Sequence, residues 1–200
     1  LEGGQKTGLF YDQRPNHAFV ANVARGGRML DMLSLVGGFA LAALSAGAVS
    51  AVAVDGSAPA LALAEEGARR MCASDRFETV KSDAFAALTR FGEEGARFET
   101  VVCDPPAFAP NKQSLTAGLR AYRKVARLAA PLVAEGGVLC LCSCSHAADM
   151  EAFHTACVEG IAQAGREGAL IHSGRAGPDH PVHLALPETS YLKALVFALT

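Results

Sequence analysis

The sequence carries little charge for its length. Only 19% of its 200 residues are Asp, Glu, Lys or Arg, whereas half are apolar. A chain this apolar has ample side chains to bury, which excludes intrinsic disorder, and its length suits one domain better than two. Neither sign of charge is in excess: 18 Lys and Arg stand against 20 Asp and Glu, a net charge of −2. That balance argues against a protein that binds nucleic acid or anionic membrane with its whole surface. A disulfide framework is missing too. Six cysteines are present, but Cys140, Cys142 and Cys144 alternate along one stretch while Cys72, Cys103 and Cys157 stand alone. Disulfide scaffolds are small and loop-rich, and this chain reads as neither, so a reducing cytoplasm is the expected compartment. Internal repeats, low-complexity tracts and linkers are absent. The chain opens Leu1-Glu2-Gly3-Gly4 with no initiator methionine, and so reads as part of something longer.

Residues 32–54 contain no charge at all. The run is long enough to cross a bilayer, but Ser34, Gly37-Gly38, Ser45, Gly47 and Ser50 punctuate it as strand, turn, helix, turn and strand of a buried core. The same alternation continues along the chain. Strands are expected over residues 28–33, 51–54, 77–81, 100–103, 138–143, 169–173 and 191–199. Helices are expected between them, including a long one over 115–134 bent at Pro131. Strands alternating with helices make a doubly wound, Rossmann-like α/β sheet that is mostly parallel. Ligands of such sheets bind at the carboxyl ends of the strands, where Asp55, Asp83 and Asp104 fall.

The dinucleotide fingerprint GxGxxG is absent. In its place Leu33-Ser34-Leu35-Val36-Gly37-Gly38-Phe39 runs from the first strand into a helix, and the glycine pair would let backbone N–H groups approach a ligand. Asp55 follows about twenty residues later, placed for ribose hydroxyls, and Asp83 ends the third strand, placed for an adenine edge. Each Asp alone could equally be a helix cap. Together they describe a nucleoside pocket without a phosphate clamp, which points to S-adenosyl-L-methionine. Asp104-Pro105-Pro106 is a stiffened turn that holds a carboxylate over the rim. Alternating Cys140 and Cys142 invite a metal reading, but side chains two apart on a strand lie roughly 7 Å apart, and thiolates on one zinc lie under about 4 Å apart. No metal is expected. Cys144 falls at the strand's carboxyl end, on the rim of Asp104, where a thiol of lowered pKa could act as a nucleophile.

In order along the chain, Lys6-Thr7-Gly8, Asp12-Gln13-Arg14, Ser34 with Gly37-Gly38-Phe39, Val54-Asp55 with Ser57, and Asp104-Pro105-Pro106 with Phe108 and Lys112 resemble class I S-adenosylmethionine-dependent methyltransferases. Ser143-Cys144-Ser145, Asp179-His180-Pro181-Val182, Pro187-Glu188 and Tyr191-Leu192-Lys193 extend the likeness, more closely to the bacterial 23S rRNA cytosine-C5 methyltransferase group. Leu35-Val36 departs from that group's usual Tyr-Thr, and Gly67-Ala68-Arg69-Arg70 from its Asn-rich helix end. The resemblance implies a seven-stranded sheet with a reversed last strand and a PUA-like RNA-binding region ahead of residue 1. Residues 1–27 would lead into a methyltransferase domain over 28–200. It further implies a cofactor site at Ser34, Gly37, Gly38, Phe39, Asp55, Ser57, Asp83 and Asp104, Cys144 as nucleophile toward cytosine C6, and Asp104 as the group that holds the base. Arg14, Pro105, Phe108, Lys112, Arg120, Arg123 and Arg127 would meet 23S rRNA.

Three rivals remain at this stage. An amino-group methyltransferase shares the Asp-Pro-Pro turn, although Ala107 separates it from the aromatic and that chemistry needs no cysteine. A nicotinamide-dependent oxidoreductase or a non-catalytic RNA-binding module could use a similar sheet. Residues 105–134 contain no Asp or Glu, while Arg120, Arg123, Lys124 and Arg127 share one helical face beyond Lys112. That face is either solvated or a basic wall for RNA.

Overall fold

The computed structural model describes residues 9–186 and 189–200. The matched segments Lys6-Thr7-Gly8 and Pro187-Glu188 lie outside the described residues. Strands β1 (Arg28–Met32), β2 (Ser50–Asp55), β3 (Phe77–Lys81), β4 (Phe98–Cys103), β5 (Val133–Ser143), β6 (Gly168–Gly174) and β7 (Lys193–Leu199) form one seven-stranded sheet, ordered β3-β2-β1-β4-β5-β7-β6. The first five pair in parallel, and β7 runs antiparallel between β5 and β6. The chain order reverses direction at β1, so the space above β1 and β4 is the switch point where such sheets hold ligands.

Helices α1 (Arg14–Val23), α2 (Gly38–Ala46) and α3 (Ala58–Arg70) cover one face, and α4 (Ala84–Glu93), α5 (Leu115–Ala129) and α6 (Met150–Gln163) cover the other. The strands read as near-continuous apolar runs because both faces are buried. Alternate residues of β5 therefore serve different cores. Leu139 and Leu141 pack with Tyr122, Val125 and Phe153, while Cys140 and Cys142 pack with Val20, Phe39 and Ala40. The uncharged run of residues 32–54 is the end of β1, then α2 and most of β2. Among the described residues no helix is long and apolar enough to cross a membrane. Helix α1, within the stretch read as leading into the domain, contributes fully buried Val20 and nearly buried Ala24 to the core.

The long helix expected over 115–134 stops at Ala129; a single 3₁₀ turn, Ala130–Leu132, holds Pro131, and β5 begins at Val133. Proline cannot donate to the helical ladder, and here it ends the helix rather than bending it. Cys140 and Cys142 also correct a distance. Their sulfurs lie 3.8 Å apart, because same-face side chains can lean together although their backbone positions are separated by two residues. Among the described residues no cluster of His, Cys, Asp or Glu could hold a metal ion.

Helices α5 and α6 cross where Gly160 leaves no room for a side chain: a Cβ there would lie 2.6 Å from that of Ala126 and strike the Arg123 carbonyl. Gly160→Ala should lower unfolding free energy by about 1–3 kcal/mol through overpacking. Gly92, in α4, has nothing within 4 Å of an added Cβ, and Gly92→Ala should raise stability by about 0.5–1 kcal/mol. Chemical denaturation of both variants measures the contrast, and equal effects would refute it.

Candidate active site

The carboxyl ends of β1, β2, β4 and β5 open into one cavity of about 840 Å³. Asp31, Ser34, Asp55, Asp104 and Cys144 line it from the sheet side, and Asp12, Gln13 and His17 close it from the N-terminal segment. The carboxyls of Asp12, Asp31, Asp55 and Asp104 share this wall, and among the described residues no Lys or Arg lines it. Such a surface attracts a cationic ligand and repels a pyrophosphate.

The backbone between β1 and α2 is held in an unusual conformation. Leu33 and Leu35 have φ of 59° and 49°, and Gly37 has φ of 76°. Strain at non-glycine residues of this kind persists where surrounding structure enforces it, often at ligand sites. Asp31 enforces part of it: fully buried, it accepts the Ala40 N–H at 2.9 Å and so caps α2 from the strand. Asp55 accepts from the backbone N–H of Leu35 at 2.9 Å and of Ser57 at 2.8 Å. The hydroxyl of Ser34 and Oδ1 of Asp31 are buried without a hydrogen-bond partner. They are buried polar atoms that the protein itself leaves unsatisfied.

The glycine pair works differently from its sequence reading. Gly37 supplies the left-handed turn, and an added Cβ would lie 3.1 Å from Ala64. Gly38 makes room for α1, since its Cβ would fall 2.8 Å from the His17 ring. That ring packs edge-on against Phe39 at 4.4 Å. Burial lowers the His17 pKa to about 4, despite the opposing charge of Asp12. His17 is therefore a neutral packing group near pH 7.

Cys144 is aimed by its neighbours. Ser143 and Ser145 are buried, and both hydrogen-bond the Tyr122 hydroxyl, at 2.9 and 2.7 Å. Ser145 also accepts the Ala109 N–H at 2.9 Å, tying the strand end to the loop beyond Pro105-Pro106. With both serines turned inward, the intervening thiol faces the cavity, its Sγ 4.0 Å from the Pro105 carbonyl. Burial first, and the Asp104 carboxylate second, push the Cys144 thiol above its usual range; Lys193 pulls in the opposite direction. The lowered pKa expected of a strand-end nucleophile is not met by the protein alone. Lys193 is itself buried and donates to the carbonyls of Ser145, at 2.9 Å, and Tyr191, at 2.7 Å.

Other expected residues lie outside the cavity wall. Ser57 and Asp83 cap α3 and α4, accepting from Ala60 and Ala86. Phe108 packs on Tyr122 at 4.9 Å and faces Phe85 at 6.5 Å. Arg14 pairs with Asp179 at 2.9 Å across the mouth. Lys112, Arg120 and Arg127 are exposed, but Arg123 is engaged by Glu159 of α6, and Lys124 covers the Phe85 ring at 4.4 Å. The basic row is thus partly spent inside the molecule. Sequence reasoning passed over Asp31, Gln13 and His17 as site residues. An acid inside an apolar strand was the available signal for Asp31; Gln13 and His17 come from a helix whose docking only the tertiary structure shows.

Residues 1–197 match the family described as S-adenosylmethionine-dependent methyltransferase. The chain belongs to that family. The large-subunit ribosomal RNA methyltransferase I of Tolumonas auensis is 37% identical to it over 199 residues, and that of Aeromonas hydrophila 36% over 197. Each alignment covers 98% of this chain and 50% of the relative. The chain thus spans about half the length of the curated relatives it matches. Among solved structures, SMU.776, complexed with SAH, superposes with a TM-score of 0.86 at 22% identity over 98% of this chain and 51% of that one. NSun6 from Pyrococcus horikoshii, solved with SFG, gives 0.64 at 17% identity, over 91% and 50%. These likenesses establish the class I methyltransferase fold, with S-adenosylmethionine as the cofactor of the family.

Asp31 offers a direct test of this wall. Burial, reinforced by Asp104 and Asp55, lifts its pKa from 3.8 to about 7. A carboxyl whose folded value is raised lowers stability wherever the unfolded chain ionises and the folded one does not, so the cost grows from about pH 4 and is complete just above pH 7. Asp31→Asn removes it. Between pH 5 and 8 the variant should lose about 2–3 kcal/mol less stability than the wild type. Parallel stability curves from denaturation at both pH values would contradict a neutral buried Asp31.

Proposed function

We propose that this methyltransferase transfers a methyl group to C5 of a cytosine in large-subunit ribosomal RNA, with Cys144 as covalent nucleophile. The observation that carries the reading is a thiol and a carboxylate, Cys144 and Asp104, facing one cavity from adjacent strand ends. The relatives at 36–37% identity are large-subunit ribosomal RNA methyltransferases, which supports the substrate class.

The wall fits the cofactor. S-adenosylmethionine carries positive charge on sulfonium and amine, which the Asp-lined cavity favours, whereas a nicotinamide dinucleotide would bring its pyrophosphate against those carboxylates. Ser34 and Asp31 offer unpartnered polar atoms, Asp55 stands at the end of β2 for ribose hydroxyls, and Gly37, Gly38 and Phe39 form the floor of the turn. Ser57 and Asp83 support this region as helix caps. Bound there, the cofactor supplies an electrophilic methyl group.

Cytosine C5 is a weak nucleophile. Addition of the Cys144 thiolate to C6 forms a C–S bond and places electron density on C5, which can then take up the methyl. Asp104 holds the base and steadies the charge of the adduct. The C5 proton is afterwards lost to a base, the C6–S bond breaks, and the thiolate is released. The target nucleotide must leave its stack to reach the cavity. Pro105 keeps the loop rigid, Arg14 stands at the mouth, and Lys112, Arg120 and Arg127 present cations beyond it. The region ahead of residue 1 is proposed to carry further RNA contacts.

Incubation with 23S rRNA containing 5-fluorocytosine and S-adenosylmethionine should trap a covalent complex, because fluorine cannot leave as the proton does. Cys144→Ser should abolish it, and methylation retained by Cys144→Ala would sink the mechanism. The raised thiol pKa has a sign of its own: alkylation of free Cys144 should keep accelerating above pH 9. Replacing Arg120 and Arg127 by Ala should weaken RNA binding and flatten its salt dependence by about one unit of slope per lost phosphate contact. An unchanged slope would remove this helix from the interface.

A further inference from the structure

Gln13 reaches Asp104 from outside the sheet. Its side chain is almost fully buried, 2% exposed, and its Nε2 donates to Asp104 Oδ2 at 3.0 Å. Asn16, one turn further along α1 and 1% exposed, donates Nδ2–H to Gln13 Oε1 at 2.7 Å. The same nitrogen reaches the Arg175 carbonyl at 3.3 Å. The ends of this chain are pure acceptors, a backbone carbonyl and a carboxylate, so the amides between them can be arranged in one way only. Arg175 fixes Asn16, Asn16 fixes Gln13, and Gln13 must present N–H, never C=O, to Asp104. Gly174 secures the far end, since any Cβ there would collide with the Asn16 amide.

A donated N–H favours the ionised form of a carboxylate and holds its orientation. We propose that Gln13 is a positioning residue for Asp104: it keeps that carboxylate an acceptor, and so sets the site for a pyrimidine that offers an exocyclic amine at position 4. Uracil would bring a carbonyl oxygen to the same place, an acceptor facing an acceptor. The inference rests on Asp104 as the group that holds the base. It adds the residue that makes Asp104 selective, supplied by the helix that precedes the sheet.

The experiment compares the protein with Gln13→Leu, which removes the donor, and Gln13→Glu, which keeps the shape but sets carboxylate against carboxylate. Each is mixed with S-adenosylmethionine and with 23S rRNA carrying either 5-fluorocytosine or 5-fluorouracil. Adduct formation is followed in single turnover across pH, and cofactor affinity by calorimetry. Cofactor affinity should stay within about threefold, which also reports that the fold is intact, while the cytosine adduct forms about ten- to a hundredfold more slowly in Gln13→Leu. The acid limb of the pH profile should move to higher pH in both variants, and further in Gln13→Glu, where the neighbouring charge opposes ionisation. The preference for 5-fluorocytosine over 5-fluorouracil should narrow. A wild-type adduct whose rate, acid limb and base preference are unchanged in both variants overturns the proposal. Absence of any adduct in the wild type is a different result: it overturns the cytosine-C5 reading, and the role of Gln13 falls with it. Should Gln13→Leu lose cofactor binding, the isosteric Gln13→Glu decides on the same readouts.

Discussion

The two-residue period of β5 is the constraint on which the site depends. Along the strand, Leu139 and Leu141 enter one core and Cys140 and Cys142 the other. At the strand end the alternation continues in different chemistry: Ser143 and Ser145 turn to the Tyr122 hydroxyl, which leaves Cys144 facing the cavity. A slip of one residue would exchange every one of these positions. It would bury the nucleophile among leucines and aromatics and set hydroxyls at the cavity wall. Pairing with β4 on one side and β7 on the other holds the register, and Tyr122, on α5, fastens the strand end to the loop that follows Asp104.

Electrostatics at this strand end are arranged around a cation that the protein does not itself provide. Burial first, and the neighbouring carboxyls after it, raise Asp31 and Cys144 alike, so in the protein alone each is held toward its neutral form. Lys193 opposes the effect at Cys144 but is committed to the carbonyls of Ser145 and Tyr191. Binding of a sulfonium would reverse the sign of the local potential and favour the thiolate. The strained turn at Leu33 and Leu35 belongs to the same economy, since Asp31 and Asp55 impose it from strand ends while satisfying its backbone donors.

The segment from Asp12 into α1 ties the Asp104 side of the cavity to the C-terminal half of the chain. His17 packs against Gly38 and Phe39 of the cofactor turn, Gln13 and Asn16 bridge Asp104 to Arg175, and Asp12 accepts from Tyr191 at 2.6 Å. One short segment thereby touches the regions proposed for cofactor, base and nucleophile. The residues near it are disposed as supports: Phe108 anchors the Asp-Pro-Pro loop through aromatic packing, and Ser57 and Asp83 stabilise helix starts.

Much of the fold was legible because local chemistry and global topology agree. Strand β3 was read to the residue, since its apolar run stops at a polar turn ahead of a capping Asp. Misreadings arose where a local signal had two outcomes. Pro131 can bend a helix or end it, and the packing of β5 beside β4 chose the second. Asp-Pro-Pro and a strand-end cysteine were visible as chemistry because few other reasons place those residue types there. Asn16 and His17 carried no such mark, and Gln13 only a place in the matched Asp12-Gln13-Arg14 run without a role, because their meaning comes from partners 20 to 160 residues away. By itself the sequence determined the alternating architecture, the acidic strand ends and the cysteine at the rim, all consequences of short-range periodicity. Only the tertiary structure decided that the thiol stands beside Asp104, that its pKa is raised, and that an amide just ahead of α1 donates to the carboxylate. Those depend on distances between segments that no local pattern encodes.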